Sequence, residues 1–388
     1  VSLVGFTFVN PFLPLYVQQL GVSDVGEAAL WSGVLLGVAP LLAALAAPFW
    51  GSLADRYGIR LMLLRVLASF VVILLLMGFA QNVFQLLFLR MTLGALGGFN
   101  PMSTALMASS VPRDRLGQAL GILQSARLIS AAVGPAIGGI LADIFGLRFS
   151  FFIAAGLCVI AFGLMWRYYQ EDPTMTNPPA SPNDQSRLSF RQLMQIPSVA
   201  VMLAVLLLIQ AIDVSFQPVL PLYVHLLGVP EENVASIAGL ITSLAAVAGA
   251  ISATVIGRLS RFGPRQVLIG TLIAGAVTCW PLALVNSSLQ LLVFRVLLGL
   301  VAGGTMTVAL TLGGLAMPRE VQGAGFGLLS AATLLGGAFS PLAAGALATF
   351  NLRWVFVADA LIYAVLVVWV FVAVRPVPAS PIQPPTSD

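Results

Sequence analysis

Along this chain, hydrophobic residues fall into twelve long runs separated by short polar stretches, over residues 1–20, 29–53, 61–80, 83–109, 116–142, 148–168, 198–224, 235–257, 265–285, 288–315, 322–349 and 352–374. A helix needs about 20 apolar residues to cross the hydrocarbon core of a bilayer. The pattern therefore predicts twelve membrane-spanning helices and an all-α polytopic fold. The first run reads as a spanning helix and not as a cleaved leader. Residues 169–197 are rich in proline and polar side chains, which predicts a surface linker between lobes at 1–168 and 198–374. The tail RPVPASPIQPPTSD, 375–388, is expected to be disordered.

The two predicted lobes spell the same phrases. PFLPLYVQQLG at 11–21 returns as PVLPLYVHLLG at 218–228, with eight of eleven positions identical. QLLFLRMTLGALGG at 85–98 answers QLLVFRVLLGLVAGG at 290–304, pairing Arg90 with Arg295 and Gly94 with Gly299. PRDRLGQALG from Pro112 answers PREVQGAGFG from Pro318, and Pro135 answers Pro341. The halves run in the same direction, and six helices each give both the same orientation. That is the parallel repeat of a two-lobed transporter, with its substrate site expected between the lobes at mid-membrane. Paired prolines in a spanning helix are tolerable where neighbouring helices and polar groups satisfy the interrupted backbone.

Composition removes the soluble alternative: 59% of residues are hydrophobic and 8% charged, with a mean hydropathy of +1.01. A soluble domain carries about 25% charged residues. Cys158 and Cys279 lie in apolar runs far apart in the chain, which fits small buried hydrophobes and no disulfide or metal framework. The net charge of +4 comes from a chain without lysine, and its 18 basic residues are all arginine. Thirteen of them fall on one side of the predicted topology, while only Arg148 and Arg353 fall at the other ends. By the positive-inside rule, both termini are cytoplasmic. The basic balance is thus a topology signal, and nucleic acid is set aside as a partner.

Three motifs carry a family resemblance. GSLADRYGIRLMLLR, 51–65, follows the second span; LRMTLGALGG starts at Leu89 on the fourth; GPAIGG, 134–139, lies on the fifth. Together they resemble the major facilitator superfamily, in particular its bacterial twelve-helix drug:proton antiporters, over nearly the whole chain. The resemblance implies two six-helix lobes that rock around a central cavity. It also implies that Asp55 helps latch the lobes on the cytoplasmic side, that Arg90 takes part in coupling, and that GPAIGG closes the outer side.

The residues themselves allow plainer readings. Gly51 and Gly58 suit close approach and a tight turn; Asp55, Arg56 and Arg60 mix charge in a short loop, as any solvated loop does. Gly134, Gly138 and Gly139 suit close helix packing, and Pro135 adds a kink. Buried charge is sharper, because an ionisable group in mid-membrane is costly and usually functional. Among fourteen acids, only Asp213 lies near the centre of a span, in a stripe with Gln210 and Gln217. Arg127, with Gln124 one turn earlier, is expected to supply the opposite charge. Arg90 and Arg295 suggest backbone tethering by their duplication. Asp359 is expected to pair with Arg353 or face water, and His225 to sit at an interface.

The resulting expectation is a secondary transporter, not an enzyme, that exports amphipathic small molecules in exchange for protons. No cofactor beyond the proton gradient is expected, and the chain is expected to act as a monomer in the bacterial inner membrane. Asp213 would alternate between protonated and substrate-competing states. Asn10, Phe99, Asn100, Gln124, Gln210, Phe216 and Gln217 would form a cavity of aromatic and hydrogen-bonding groups suited to loose recognition, including of cations. An importer or uniporter of the same fold is the alternative if the fifth-span glycines serve packing alone. An intramembrane enzyme lacks paired metal-binding acids, a Walker lysine and a Ser–His arrangement.

Overall fold

In the computed structural model, which describes residues 8–111, 115–169, 197–259, 263–315 and 322–373, each of the twelve runs contains helix. After a 3-10 turn at Asn10–Phe12 come α1 (Leu13–Gln19), α2 (Val25–Tyr57), α3 (Ile59–Gly78), α4 (Val83–Ala95), α5 (Phe99–Ser110), α6 (Leu116–Phe145) and α7 (Leu147–Tyr168). The second half continues with α8 (Pro197–Ser215), α9 (Leu220–Leu226), α10 (Glu231–Leu259), α11 (Pro264–Leu282), α12 (Ser288–Leu315), α13 (Gln322–Ala348) and α14 (Arg353–Ala373). No strand occurs among the described residues. Nine of these helices are long and apolar enough to cross a membrane, or ten with the bent α8–α9 pair as one span. Residues 170–196 of the expected linker, the tail 375–388 and the side chain of Asp55 lie outside the described residues, while Pro197, placed in the linker, already opens α8.

Two runs are broken, the seventh at its paired prolines as expected and the fourth against the expectation of one continuous helix. The seventh turns by 43° between α8 and α9, just before Pro221. The fourth stops at Ala95 and restarts at Phe99, across Gly98 at φ +108°. A break inside a membrane strands carbonyls, and these find donors from neighbouring helices. Trp50 Nε1 donates to the Ala95 carbonyl at 2.6 Å and Arg65 Nη2 to that of Gly97 at 3.3 Å. The Arg65 guanidinium also stacks on the Trp50 ring, 3.3 Å from its centroid.

The repeat in sequence is a repeat in capping. The last carbonyls of a helix have no partner within it. Tyr16 donates its hydroxyl to the Met77 carbonyl at the end of α3, at 2.8 Å; Tyr223 does the same for Leu282 at the end of α11, at 3.1 Å. Arg60 Nη2 reaches the Trp166 carbonyl in the last turn of α7 at 3.1 Å, and Arg265 Nη2 the Phe371 carbonyl in the last turn of α14 at 2.8 Å. Cations belong at that end of a helix. We expect Tyr16→Phe and Tyr223→Phe each to cost about 1 kcal/mol. The check is thermal unfolding in detergent, where the double variant should show the sum.

The signature stretch after α2 differs from its predicted loop. Helix α2 runs through Tyr57, and only Gly58, at φ +89°, separates it from α3. Gly58 makes the turn. Gly51 allows no close approach here, since nothing lies within 4 Å of where its Cβ would be. Arg56 is exposed and lies against Tyr57, 5.4 Å from the ring centroid.

Candidate functional site

The two halves meet along two seams built alike. Helix α6 crosses α10, and α13 crosses α2. A Cβ at Gly139 would run into the Ala235 carbonyl, and one at Gly239 into that of Pro135. On the other seam, a Cβ at Gly345 would meet the Ala29 carbonyl and one at Gly33 that of Pro341. Only glycine lets the backbones come this close. Gly138 instead packs on the Phe8 carbonyl within its own half, and Gly134 is buried.

Polar contacts strengthen the first seam. The Ser243 hydroxyl accepts from the Ala136 N–H at 2.9 Å, and the Asp143 carboxylate accepts from the Ala235 and Ser236 N–H groups at 3.3 and 2.7 Å. All these contacts lie towards one end of the bundle, opposite the arginine-rich turns. Nearer those turns, Gly51 on α2 and Gly121 on α6 meet no atom within 4 Å, and Gln124 is exposed. Among the described residues, the lobes are sealed at one end and part at the other.

Behind the seal lies a cavity of about 280 Å³ whose walls come from both halves. Asn10, Arg90, Gln210 and Gln217 supply its polar groups, and Leu36, Val214 and Leu334 are among its apolar ones. Arg90 Nη1 donates to Asn10 Oδ1 at 3.4 Å, which places this buried arginine in the cavity wall as well as in the core. The remaining expected cavity residues are elsewhere. Phe216 is buried beneath Arg295, 4.1 Å from guanidinium to ring centroid, and packs on Phe356. Phe99, Asn100 and Gln124 do not line this cavity. A second cavity, of about 440 Å³, opens near the sealed end among Gln18, Gln19, Asp143, His225, Glu231 and Glu232. That is where the lone histidine sits.

The expected ion pair has a different partner. Asp213, on the flank of α8 beside Val214, keeps 53% of its side chain exposed and pairs with Arg295 of α12 at 3.6 Å. Arg295 Nη2 also donates to the Asp213 carbonyl at 3.4 Å. Arg127 is occupied otherwise: its Nη2 bonds to the Asn100 carbonyl at 3.0 Å, Ser103 Oγ at 3.2 Å and Thr104 Oγ1 at 2.8 Å. It ties α6 to α5. The reason is local: α5 presents a hydroxyl pair and a carbonyl in one turn, a ready acceptor set for a guanidinium fork.

Asp359 is the larger departure. It was expected to pair with Arg353 or face water, yet it is 4% exposed in the core of the second half. Its Oδ2 lies 2.6 Å from the Ser215 hydroxyl, which itself lies 2.8 Å from the Ile212 carbonyl. Four polar side chains thus share one region: Asp213 and Ser215 on α8, Arg295 on α12 and Asp359 on α14. The sequence carried a signal for this, because Ser215 stands two residues after Asp213 at the last position of α8. Nothing short of the fold brings α14 to it.

Comparison with known proteins agrees with this architecture. The model of the Major Facilitator Superfamily matches residues 1–259 and 233–388. The chain is 38% identical over 362 residues to the multidrug resistance protein MdtG of Yersinia enterocolitica, covering 92% of this chain and 86% of that one. It is 41% identical over 311 residues to MdtG of Proteus mirabilis, covering 79% and 76%. In fold it resembles a D-xylose–proton symporter with a TM-score of 0.78 at 14% identity, covering 98% of this chain and 97% of that one. It also resembles a bacterial homologue of the human lysosomal transporter Spinster in an inward-facing, unoccupied conformation, with a TM-score of 0.75 at 16% identity over 96% and 94% of the two chains. Two like-oriented halves, cross-lobe glycine seams and a polar cavity between them agree with the family match: the chain belongs to the Major Facilitator Superfamily.

Proposed function

We propose that this transporter exports amphipathic small molecules, cations among them, in exchange for protons. The observation that carries this reading is a cavity that mixes amides with aliphatic walls, with the half-exposed acid Asp213, itself not in the lining, adjoining the lining residue Val214 in the chain. A few hydrogen-bonding groups in an apolar surround hold many molecules loosely. An acid at the edge of that surround favours positive charge. The multidrug resistance proteins to which the chain is similar support the same reading.

The arginine distribution supports a cytoplasmic-membrane protein with both termini inside. In that orientation, the state described here opens to the cytoplasm and is sealed outside. The bilayer is its environment, the proton gradient its only energy source, and the monomer its working unit. The seams argue against glycines that serve packing alone, because Gly139 and Gly345 each face the opposite lobe.

Proteoliposomes with an imposed pH gradient test the function directly. A panel of cationic and neutral dyes should move uphill when the compartment that receives dye is acidic, and not when the gradient is reversed. Cations should depend on Asp213 more than neutral dyes do. Dye movement that ignores both the sign and the presence of the gradient would refute proton exchange.

A further inference from the structure

The hydrogens around Ser215 fall one short of two full bonds if Asp359 is ionised. Ser215 Oγ lies 2.8 Å from the Ile212 carbonyl and 2.6 Å from Asp359 Oδ2, both hydrogen-bonding distances between oxygens. A serine hydroxyl has one hydrogen to donate. A carbonyl and a carboxylate are both pure acceptors, so with Asp359 ionised the two contacts must share that one hydrogen in a bifurcated bond, weaker than two separate bonds. A proton on Asp359 resolves this. The acid then donates to Ser215 Oγ, and Ser215 donates to Ile212.

The charges around the pair agree. The groups around Asp359 are Ser215 from α8, Arg295 from α12, Cys279 from α11 and Tyr363 one turn along α14; Asp213 of α8 lies near the same Tyr363 and pairs with Arg295. Arg295 is the only cation among them, and its ion pair is with Asp213. Two ionised acids sharing one guanidinium inside the membrane would leave an uncompensated charge, a costly state. With Asp359 neutral, one cation faces one anion.

We propose that Asp359 is the proton-carrying carboxyl of this transporter, and that Arg295 moves between Asp359 and Asp213 so that proton and cationic substrate exclude each other. With a proton on Asp359 Oδ2, Arg295 rests on Asp213 and occupies the acid a cation needs. Loss of that proton to water turns Asp359 into the better-shielded anion, and Arg295 transfers to it. Asp213 is then free for a cationic molecule. A proton arriving later neutralises Asp359, returns Arg295 to Asp213 and displaces the cation. No bond other than the O–H bond of the acid forms or breaks. The bend between α8 and α9 begins at the residue after Ser215, which places the proton-dependent contact at the point where this span flexes.

This rests on the reading of the chain as a proton-coupled exporter, and its test separates the two. The full chain purified in detergent is examined by infrared spectroscopy for a protonated carboxyl band through a pH titration. Tetraphenylphosphonium binding is measured across the same pH range. In the wild type, the band is expected at neutral pH, and binding should weaken about tenfold per pH unit below its midpoint, the slope for one competing proton. Asp359→Asn should remove the band and leave weak binding that no longer varies with pH. Asp213→Asn should lose binding and move the band's midpoint to lower pH, because Arg295 then has only Asp359 as its anion. Ser215→Ala should keep the band but shift its frequency, because the acid loses its acceptor.

A wild type without the band, or Asp359→Asn with wild-type pH dependence, overturns the proposal. A band that persists unchanged in Asp359→Asn puts the proton on Asp213, as the sequence suggests, and overturns it too. If the band belongs to Asp359 but no pH gradient drives transport in proteoliposomes, the exporter reading fails and the assignment of the proton stands.

Discussion

Valine at Gly139 or Gly345 is expected to stop uphill transport by keeping the sealed end from closing. At Gly139 the added carbons meet the carbonyl of Ala235 and the Cα of Ser236; at Gly345 they meet the carbonyl of Ala29 and the Cα of Leu30. These are backbone atoms of the opposite lobe, so no rotamer change relieves the overlap. Overpacking costs about 1–3 kcal/mol even where neighbours can yield, which corresponds to a roughly 5- to 150-fold shift in a two-state equilibrium. The lobes therefore stay apart at that end, and a transporter that cannot complete one of its two states cannot pump. Spin labels at Ser23 and Phe350, in a chain without Cys158 and Cys279, would show the longer distance. Gly163→Val is the control, because nothing lies within 4 Å of its Cβ position. Wild-type distances together with wild-type transport in the Gly139 and Gly345 variants would show that the seams do not close the outer end.

The second large effect is one of non-additivity. Arg295 is buried, and two acids lie within its neighbourhood. Removing Asp213 leaves it Asp359, and removing Asp359 leaves it Asp213, so Asp213→Ala and Asp359→Asn should each be tolerated at about 1 kcal/mol. Removing both strands a buried guanidinium, for which about 3–5 kcal/mol is the usual penalty. The double variant should therefore unfold at a temperature well below the sum of the singles, a coupling that a double-mutant cycle measures. Adding Arg295→Met should recover most of the loss, because the stranded charge is gone. An additive double variant would show that Arg295 depends on neither acid.

Helix positions and lobe pairing were legible because they follow from hydrophobic length and from a repeat, both one-dimensional properties. The caps could have been read as well: Tyr16 and Tyr223, or Arg60 and Arg265, stand at matching positions of the two halves. The seam was partly legible. GPAIGG at 134–139 becomes SPLAAG at 340–345, which loses two glycines and suggests a weaker second copy. The structure shows that the retained pairs, Pro135 with Pro341 and Gly139 with Gly345, are the ones that face the other lobe.

The acid cluster was not legible. Asp359 lies near the end of its span, where sequence position alone favours water, and only tertiary packing places it beside Ser215. Arg127 misled for a related reason. A lone mid-span cation suggests an anion as partner, but three uncharged oxygens on a neighbouring helix satisfied it instead. Asp143 escaped notice because its value lies in two backbone N–H groups of a distant helix, which no side-chain pattern reveals.

The construction of the seams has a consequence for descent. Each half supplies one of every kind of contact: Pro135 and Gly139 press on Gly239 and Ala235, while Pro341 and Gly345 press on Gly33 and Ala29. One half would therefore match a second copy of itself through both seams at once, as the two subunits of a symmetric dimer do. Fusing two such copies keeps the shared gate and releases each half from having to be its own partner. The chemistry shows that freedom. Arg90 and Arg295 persist as a pair, but the first-half positions that answer Asp213, Ser215 and Asp359 hold Phe6, Phe8 and Ala154. A gate inherited twice has been joined to a charge site that only one copy needed to evolve.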